Sequence, residues 1–263
     1  MSPMIEQLLI AWCGVFVVIT LTYLLSQKIK NAGIIDVLWG FSFAFLTIFF
    51  AWTGDGHEIR RWVLTVAACL WAGRLGVHLL ARFIKQHPIE DQRYAILRKK
   101  WGNRSNLKMF GIFHLQGLMM MAFAVIFAVP TWNSSPPIHI LEIIALVVLA
   151  VAFVGESVAD LQLTRFKQGA KPEEVCEVGL WRYSRHPNYF FEWLIWVGFF
   201  IFACASGAWW TIYCPLLMLF QLLYVFGVPA NEKQSLKTKG AAYERYQQTT
   251  SRFFPLPRKK TNT

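Results

Sequence analysis

The chain of 263 residues is 56% apolar and 16% aromatic, and only 16% of it is charged, against about 25% in an ordinary soluble domain. With a mean hydropathy of +0.40, that composition excludes disorder, collagen, a coiled coil and a disulfide-stapled module. The net charge of +11 arises from 26 Lys and Arg against 15 Asp and Glu; these cations sit in loops and tails, where positive charge fixes membrane topology, so no nucleic-acid partner is expected.

Seven apolar segments follow in order, near 5–26, 33–53, 61–84, 111–131, 138–163, 188–206 and 208–229. Several reach the ~20 residues that cross a bilayer. Their pattern predicts an all-α polytopic membrane protein, one domain over 1–263, with a disordered tail at 256–263. Alternate loops carry the cations: Lys28 and Lys30; then Lys85, Arg93, Arg98, Lys99, Lys100, Arg104 and Lys108; then Arg165, Lys167, Lys171, Arg182 and Arg185; then the tail beyond Asn231. The opposite loops hold only Arg60 and Arg61. That asymmetry predicts an N-terminus outside and a C-terminus in the cytoplasm. No positively charged n-region precedes the first segment, so no signal peptide is expected. The five cysteines form no C-x-x-C pair, and neither a metal site nor a disulfide framework is expected.

Ionisable groups inside apolar spans cost about 2.5–3.5 kcal/mol each on insertion scales and usually face a partner or a cavity. Asp36, Arg74, His78, Glu142, Glu156, Asp160 and Glu192 are such groups. Arg74 and His78 share a helical face and are placed to pair with Asp36 of the neighbouring span. Glu156 and Asp160, also four apart, repel unless bridged, either by a hydroxylated ligand such as a ribose or by Arg165 and Lys167. The most informative stretch runs from Gly179 to Glu192. There Arg182, Arg185 and His186 precede Pro187, which opens a helix, and Asn188 and Glu192 project from one face of its first turns. A helix N-terminus with basic neighbours attracts phosphate. No G-x-G-x-x-G follows a predicted strand, so a Rossmann route to a nucleotide is excluded.

Through these residues the chain resembles the membrane-embedded steroid 5-alpha-reductase superfamily, in particular its large bacterial branch. Sterol delta-14 and delta-7 reductases and isoprenylcysteine carboxyl methyltransferases are more distant relatives. The resemblance rests on Ile35-Asp-Val-Leu-Trp-Gly40, Trp71-Ala-Gly-Arg-Leu-Gly76, Glu90-Asp-Gln-Arg-Tyr94, Leu115-Gln-Gly117, the Asp160 region, R-H-P-N-Y-x-x-E, and a tail with Glu232, Tyr243, Tyr246 and Arg252-Phe-Phe-Pro255. It implies a seven-helix inner-membrane enzyme, an oxidoreductase acting on CH–CH bonds like a 3-oxo-5-alpha-steroid 4-dehydrogenase. NADPH would bind from the cytoplasm through 138–255, and the substrate would be a steroid-like or other lipid enone. Glu156, Asp160, Lys167, Asn188, Glu192 and Glu232 would then be cofactor contacts, with Arg182, Arg185 and His186 available to phosphates. Glu156 stands where reductases carry Asn, Lys167 where they carry Arg, and Glu232 where they carry a histidine-rich stretch. Their substrate-positioning Gln-Glu pair has no counterpart. Tyr94, Tyr183 or a protonated Asp36 are the candidates for polarising the ketone as enolate charge develops.

An S-adenosylmethionine-dependent methyltransferase of an isoprenoid or lipid is the alternative enzyme. Asn188 after R-H-P, Phe190 in place of glycine, and a lone Glu232 preceded by Asn231 favour the reductase. A non-enzymatic sterol- or lipid-binding membrane protein is the reading from another class.

Overall fold

The computed structural model describes residues 2–225 and 227–259. Among them there are helices and no strands, and seven helical stretches are long and apolar enough to cross a membrane: Pro3–Lys28, Ile34–Thr53, Glu58–Gln86, Gln92–Trp132, Ile140–Gly169, Pro187–Cys204 and Trp209–Lys239. The all-α membrane fold expected from hydropathy is therefore present. The backbone divides into two compact units, residues 1–139 with 206–208, and residues 140–205 with 209–263.

The first unit contains α1 (Pro3–Lys28), α2 (Ile34–Thr53), α3 (Glu58–Gln86), α4 (Gln92–Trp101) and α5 (Ser105–Ala128). Helices α2 and α3 pack backbone against backbone: a Cβ on Gly40 would lie 2.6 Å from the Gly76 Cα. This close approach is what the glycines of the two early motifs provide, since small residues at a crossing bring membrane helices together. Around it Phe43 meets Trp71 at 5.5 Å and Phe123 edge-on at 6.5 Å. Arg60 and Arg61, the two basic residues of this set of loops, are used internally. Arg60, 2% exposed, donates to the carbonyls of Asn133, Ser135 and Pro136 at 2.7–2.9 Å. Arg61 donates to those of Ala51 and Gly54.

The second unit contains α6 (Ile140–Gly169), α7 (Pro187–Cys204), α8 (Tyr213–Phe220), α9 (Val228–Lys239) and α10 (Ala241–Thr249). A Cβ on Gly155 would meet the Phe191 ring at 2.4 Å. That contact seats α6 on α7 beside Glu156 and Glu192. The tail read as disordered from 256 is packed as far as Lys259: Leu256 N–H donates to Tyr183 O at 3.0 Å, and Lys259 N–H to Thr249 O at 2.9 Å. Local backbone bonds compensate there for the lack of an apolar run. The rest of that segment, 260–263, lies outside the described residues.

Candidate functional site

Two polar constellations stand out, one in each unit. In the second unit, α6 and α7 present their acids at the mouth of the R-H-P turn. Asn188, on the first turn of α7, donates its amide to Asp160 Oδ1 of α6 at 3.3 Å. One turn further, Glu192 is buried and accepts from Trp196 Nε1 at 3.1 Å. Glu156, one turn back from Asp160 on α6, is also buried. The turn that delivers Asn188 is fixed from below. Trp181 Nε1 donates to Ala159 O at 2.9 Å, and Leu180 N–H to Gln162 Oε1 at 2.9 Å. Gly179 holds φ +54, and a Cβ there would lie 2.2 Å from Gln162 Nε2. Only glycine fits both the angle and the space.

The basic residues of the stretch divide sharply. Arg185 is buried and every nitrogen of its guanidinium is engaged. Its Nε donates to Glu232 Oε1 at 2.8 Å, Nη2 lies 2.7 Å from the same oxygen, and Nη1 donates to the carbonyls of Gln247 and Thr250 at 2.8 and 2.9 Å. Gln247 Nε2 adds a bond to Glu232 Oε2 at 3.3 Å. Arg185 and Glu232 thus form a pair that docks α9 and α10 onto the R-H-P turn. His186 is buried, stacks flat on Tyr189, and has Nε2 3.4 Å from Glu232 Oε1. Burial holds its imidazole below the usual value, with Glu232 pulling the other way. His186 therefore also belongs to this packed junction. Tyr246 completes it by donating its hydroxyl to Trp181 O at 2.5 Å. Burial pushes that phenol up, so it stays a neutral donor.

Arg182, Lys167 and Tyr183 are exposed. Lys167 lines an open cleft of about 230 Å³ with Lys171 of the following loop and Lys239 at the end of α9. Glu174 also lines it, whereas Asp160 and Asn188, which the structure does bring together, do not. Tyr183 holds Leu256 through its backbone carbonyl. A larger open cleft, of about 820 Å³, is lined by Glu173, Glu177, Arg245, Tyr246, Arg258 and Lys259. Arg258 is ion-paired with Glu177 there. Sequence reasoning had no signal for this contact, because a polybasic end looks the same whether bound or free.

In the first unit, Asp36 is the centre. Its Oδ2 pairs with Arg82 at 3.0 Å and with Arg93, and its Oδ1 accepts from the Tyr94 hydroxyl at 3.0 Å. Gln116 Nε2 approaches the Tyr94 oxygen at 3.4 Å. Arg93 also forks onto Asp91, with Nε to Oδ1 and Nη2 to Oδ2 both at 2.9 Å. Asp91 caps α4 by accepting from Arg93 N–H at 2.9 Å. Burial raises the Asp91 carboxyl, but the bonds and charge of Arg93 outweigh this and hold it below the usual range. Glu90 accepts from Ala32 N–H at 2.9 Å and from Arg98 Nε at 3.0 Å. The Glu90–Tyr94 motif therefore clamps α4 to the head of α2. Asp36 accepts from Tyr94 and from two arginines. The expected partner Arg74 is replaced by Arg82 and Arg93.

A protein of Schizosaccharomyces pombe (strain 972) whose description is "uncharacterized" is 26% identical to this chain, over 97% of the chain and 80% of that protein. No solved structure matches the chain. Residues 22–250, which include both constellations, match the model of the family described as DUF1295, protein of unknown function, and the chain belongs to that family.

Proposed function

We propose that the chain is a membrane-embedded oxidoreductase of the steroid 5-alpha-reductase-like group, using NADPH to reduce a C=C bond of a lipid-like enone. The observation that carries this reading is the bond from Asn188 to Asp160 with Glu192 and Glu156 one turn away on the same two helices. This donor set suits a nucleotide. Carboxylates accept from ribose hydroxyls and from a carboxamide, and Asn188 offers both a donor and an acceptor. The exposed Arg182 supplies a cation for phosphate beside the start of α7. Lys167 in its basic cleft is a second cation of the same unit. When bound, the cofactor would provide the hydride; the residues of α6 and α7 would bind and orient it at the end of the helix pair. Because NADPH is water-soluble, this end would face the cytoplasm.

The test is a titration of the purified full chain in detergent, read as energy transfer from its 12 tryptophans to reduced nicotinamide. Saturable NADPH binding unaffected by S-adenosylmethionine is expected. N188A and E192Q should weaken it about tenfold or more, the scale of one hydrogen bond to a charged partner, while thermal unfolding stays cooperative. Affinity unchanged in both variants refutes the site. Binding of S-adenosylmethionine alone makes the chain a methyltransferase, and binding of neither makes it a lipid-binding protein.

A further inference from the structure

The cation-rich loop from Lys85 to Lys108 contains α4 and the first turn of α5. Helix α4 reads Gln-Arg-Tyr-Ala-Ile-Leu-Arg-Lys-Lys-Trp. With Arg93, Arg98, Lys99 and Lys100 in ten residues it cannot itself cross a bilayer. Its inward face is set by the clamp described above: Tyr94 is buried, and Leu97, Arg98 and Trp101 are half-buried. The opposite face is mixed in a particular way. Ile96 is 64% exposed between exposed Gln92 and the exposed pair Lys99 and Lys100. Ile89 at 76% and Leu107 at 74% continue the apolar exposure on either side. Arg104 is exposed in the turn between the helices, and Lys108 lies 5.6 Å over the Trp101 ring.

We propose that this α4–α5 corner is a binding site for anionic phospholipid headgroups. Three observations converge. Lys99, Lys100 and Arg104 have no acidic partner among the described residues, and no acid occurs between Gln92 and Lys108. Bare isoleucine and leucine side chains stand beside these cations, as in an interfacial helix with its apolar groups at the acyl boundary and its cations at the phosphates. Chain continuity fixes the depth, since α5 begins at Ser105 and carries the apolar part of the Gln92–Trp132 span. The occupant is thus a lipid phosphate with its acyl chains, and the site is independent of the nucleotide reading.

The experiment is native mass spectrometry of the full chain from mixed micelles containing phosphatidylglycerol or phosphatidylcholine, counting retained lipid. One cation near an anionic surface is worth about a fivefold change in affinity. The wild type should retain phosphatidylglycerol about tenfold or more over phosphatidylcholine, and less so at higher salt. K99Q/K100Q/R104Q should lose at least about tenfold of that preference. K233Q/K237Q, which removes exposed cations elsewhere, should keep it. The three glutamines replace exposed side chains, and an unchanged melting temperature checks that the fold survives. Equal retention of the two lipids by the wild type overturns the proposal, as does an unchanged preference in the triple variant. Displacement of the lipid by millimolar inorganic phosphate also overturns it, because the site would then read a free anion.

Discussion

Replacing Arg185 by alanine should release the C-terminal part of the second unit without unfolding its helix pair. The substitution leaves Glu232, with its side chain 14% exposed, facing no guanidinium at 2.7–2.8 Å. It also strips the Gln247 and Thr250 carbonyls of their donor. Breaking a buried pair by removing one partner costs about 3–5 kcal/mol, because the remaining charge is left desolvated. Arg252, at 3.9 Å from Glu232 Oε2, and Gln247 partly compensate, so the lower end applies. About 3 kcal/mol corresponds to an opening equilibrium for α9 and α10 some two orders of magnitude more favourable. Hydrogen exchange of the full chain in detergent reads this directly: amides of 241–251 should exchange about a hundredfold faster in R185A, while those of α6 and α7 stay protected. R185K keeps the charge but not the fork, and should fall between. In the double variant R185A/E232A the costs should be clearly less than additive, since the second substitution removes the charge that the first left stranded. Unchanged exchange in R185A would refute the docking role and return Arg185 to the phosphate ligands.

Two further outcomes follow from packing and charge. G40A should lower the melting temperature measurably, because its methyl would sit 2.6 Å from the Gly76 backbone and no flexible side chain can yield; overpacking of this kind costs about 1–3 kcal/mol. An unchanged melting curve would mean that α2 and α3 slide freely. Acidification should destabilise the protein in two windows. His186 is held below its usual value in the fold, so the unfolded chain takes up its proton first, and stability present above about pH 6.5 declines as the pH falls further. Asp91 is held low as well, so its contribution is complete above its unfolded value and disappears only as the pH falls through its lower folded value. H186Q should flatten the first decline in a melting-temperature series and leave the second, and an identical series would show that His186 titrates without consequence.

The spans were legible because hydropathy over about 20 residues is a property of composition alone. The contact of Asn188 with Asp160 was legible in part, since both were singled out as polar groups at helix ends that apolar packing must bring together. Helix α4 was not. Its residues are charged and its helix is nucleated by tertiary bonds, with Asp91 capping it and Tyr94 reaching Asp36. The partner of Asp36 was misassigned for the same reason. Arg74 and Arg82 lie on similar faces of α3, and choosing between them requires knowing where α4 brings Arg93. The enclosure of Arg185 was equally invisible, because neighbouring arginines in R-Y-S-R differ only in what later folds over them: Arg182 stays exposed while α9, α10 and the tail close over Arg185.

That closure changes the meaning of the two motifs at the end of the chain. R-H-P-N-Y and Arg252-Phe-Phe-Pro255 are separate motifs in the sequence. In the structure they are one element. Arg185 N–H donates to Ser251 O at 2.9 Å, and Ser184 Oγ donates to Phe253 O at 2.7 Å while accepting from His186 N–H at 3.1 Å. Phe253 and Phe254 then pack edge-on against Phe190 and Trp193 of α7, with centroids 5.7–6.2 Å apart. The arginine and histidine therefore hold the tail, the tail holds the first turns of α7, and Asn188 is presented to Asp160 as a result. The basic look of the motif follows from the half-buried acid that Arg185 neutralises, Glu232.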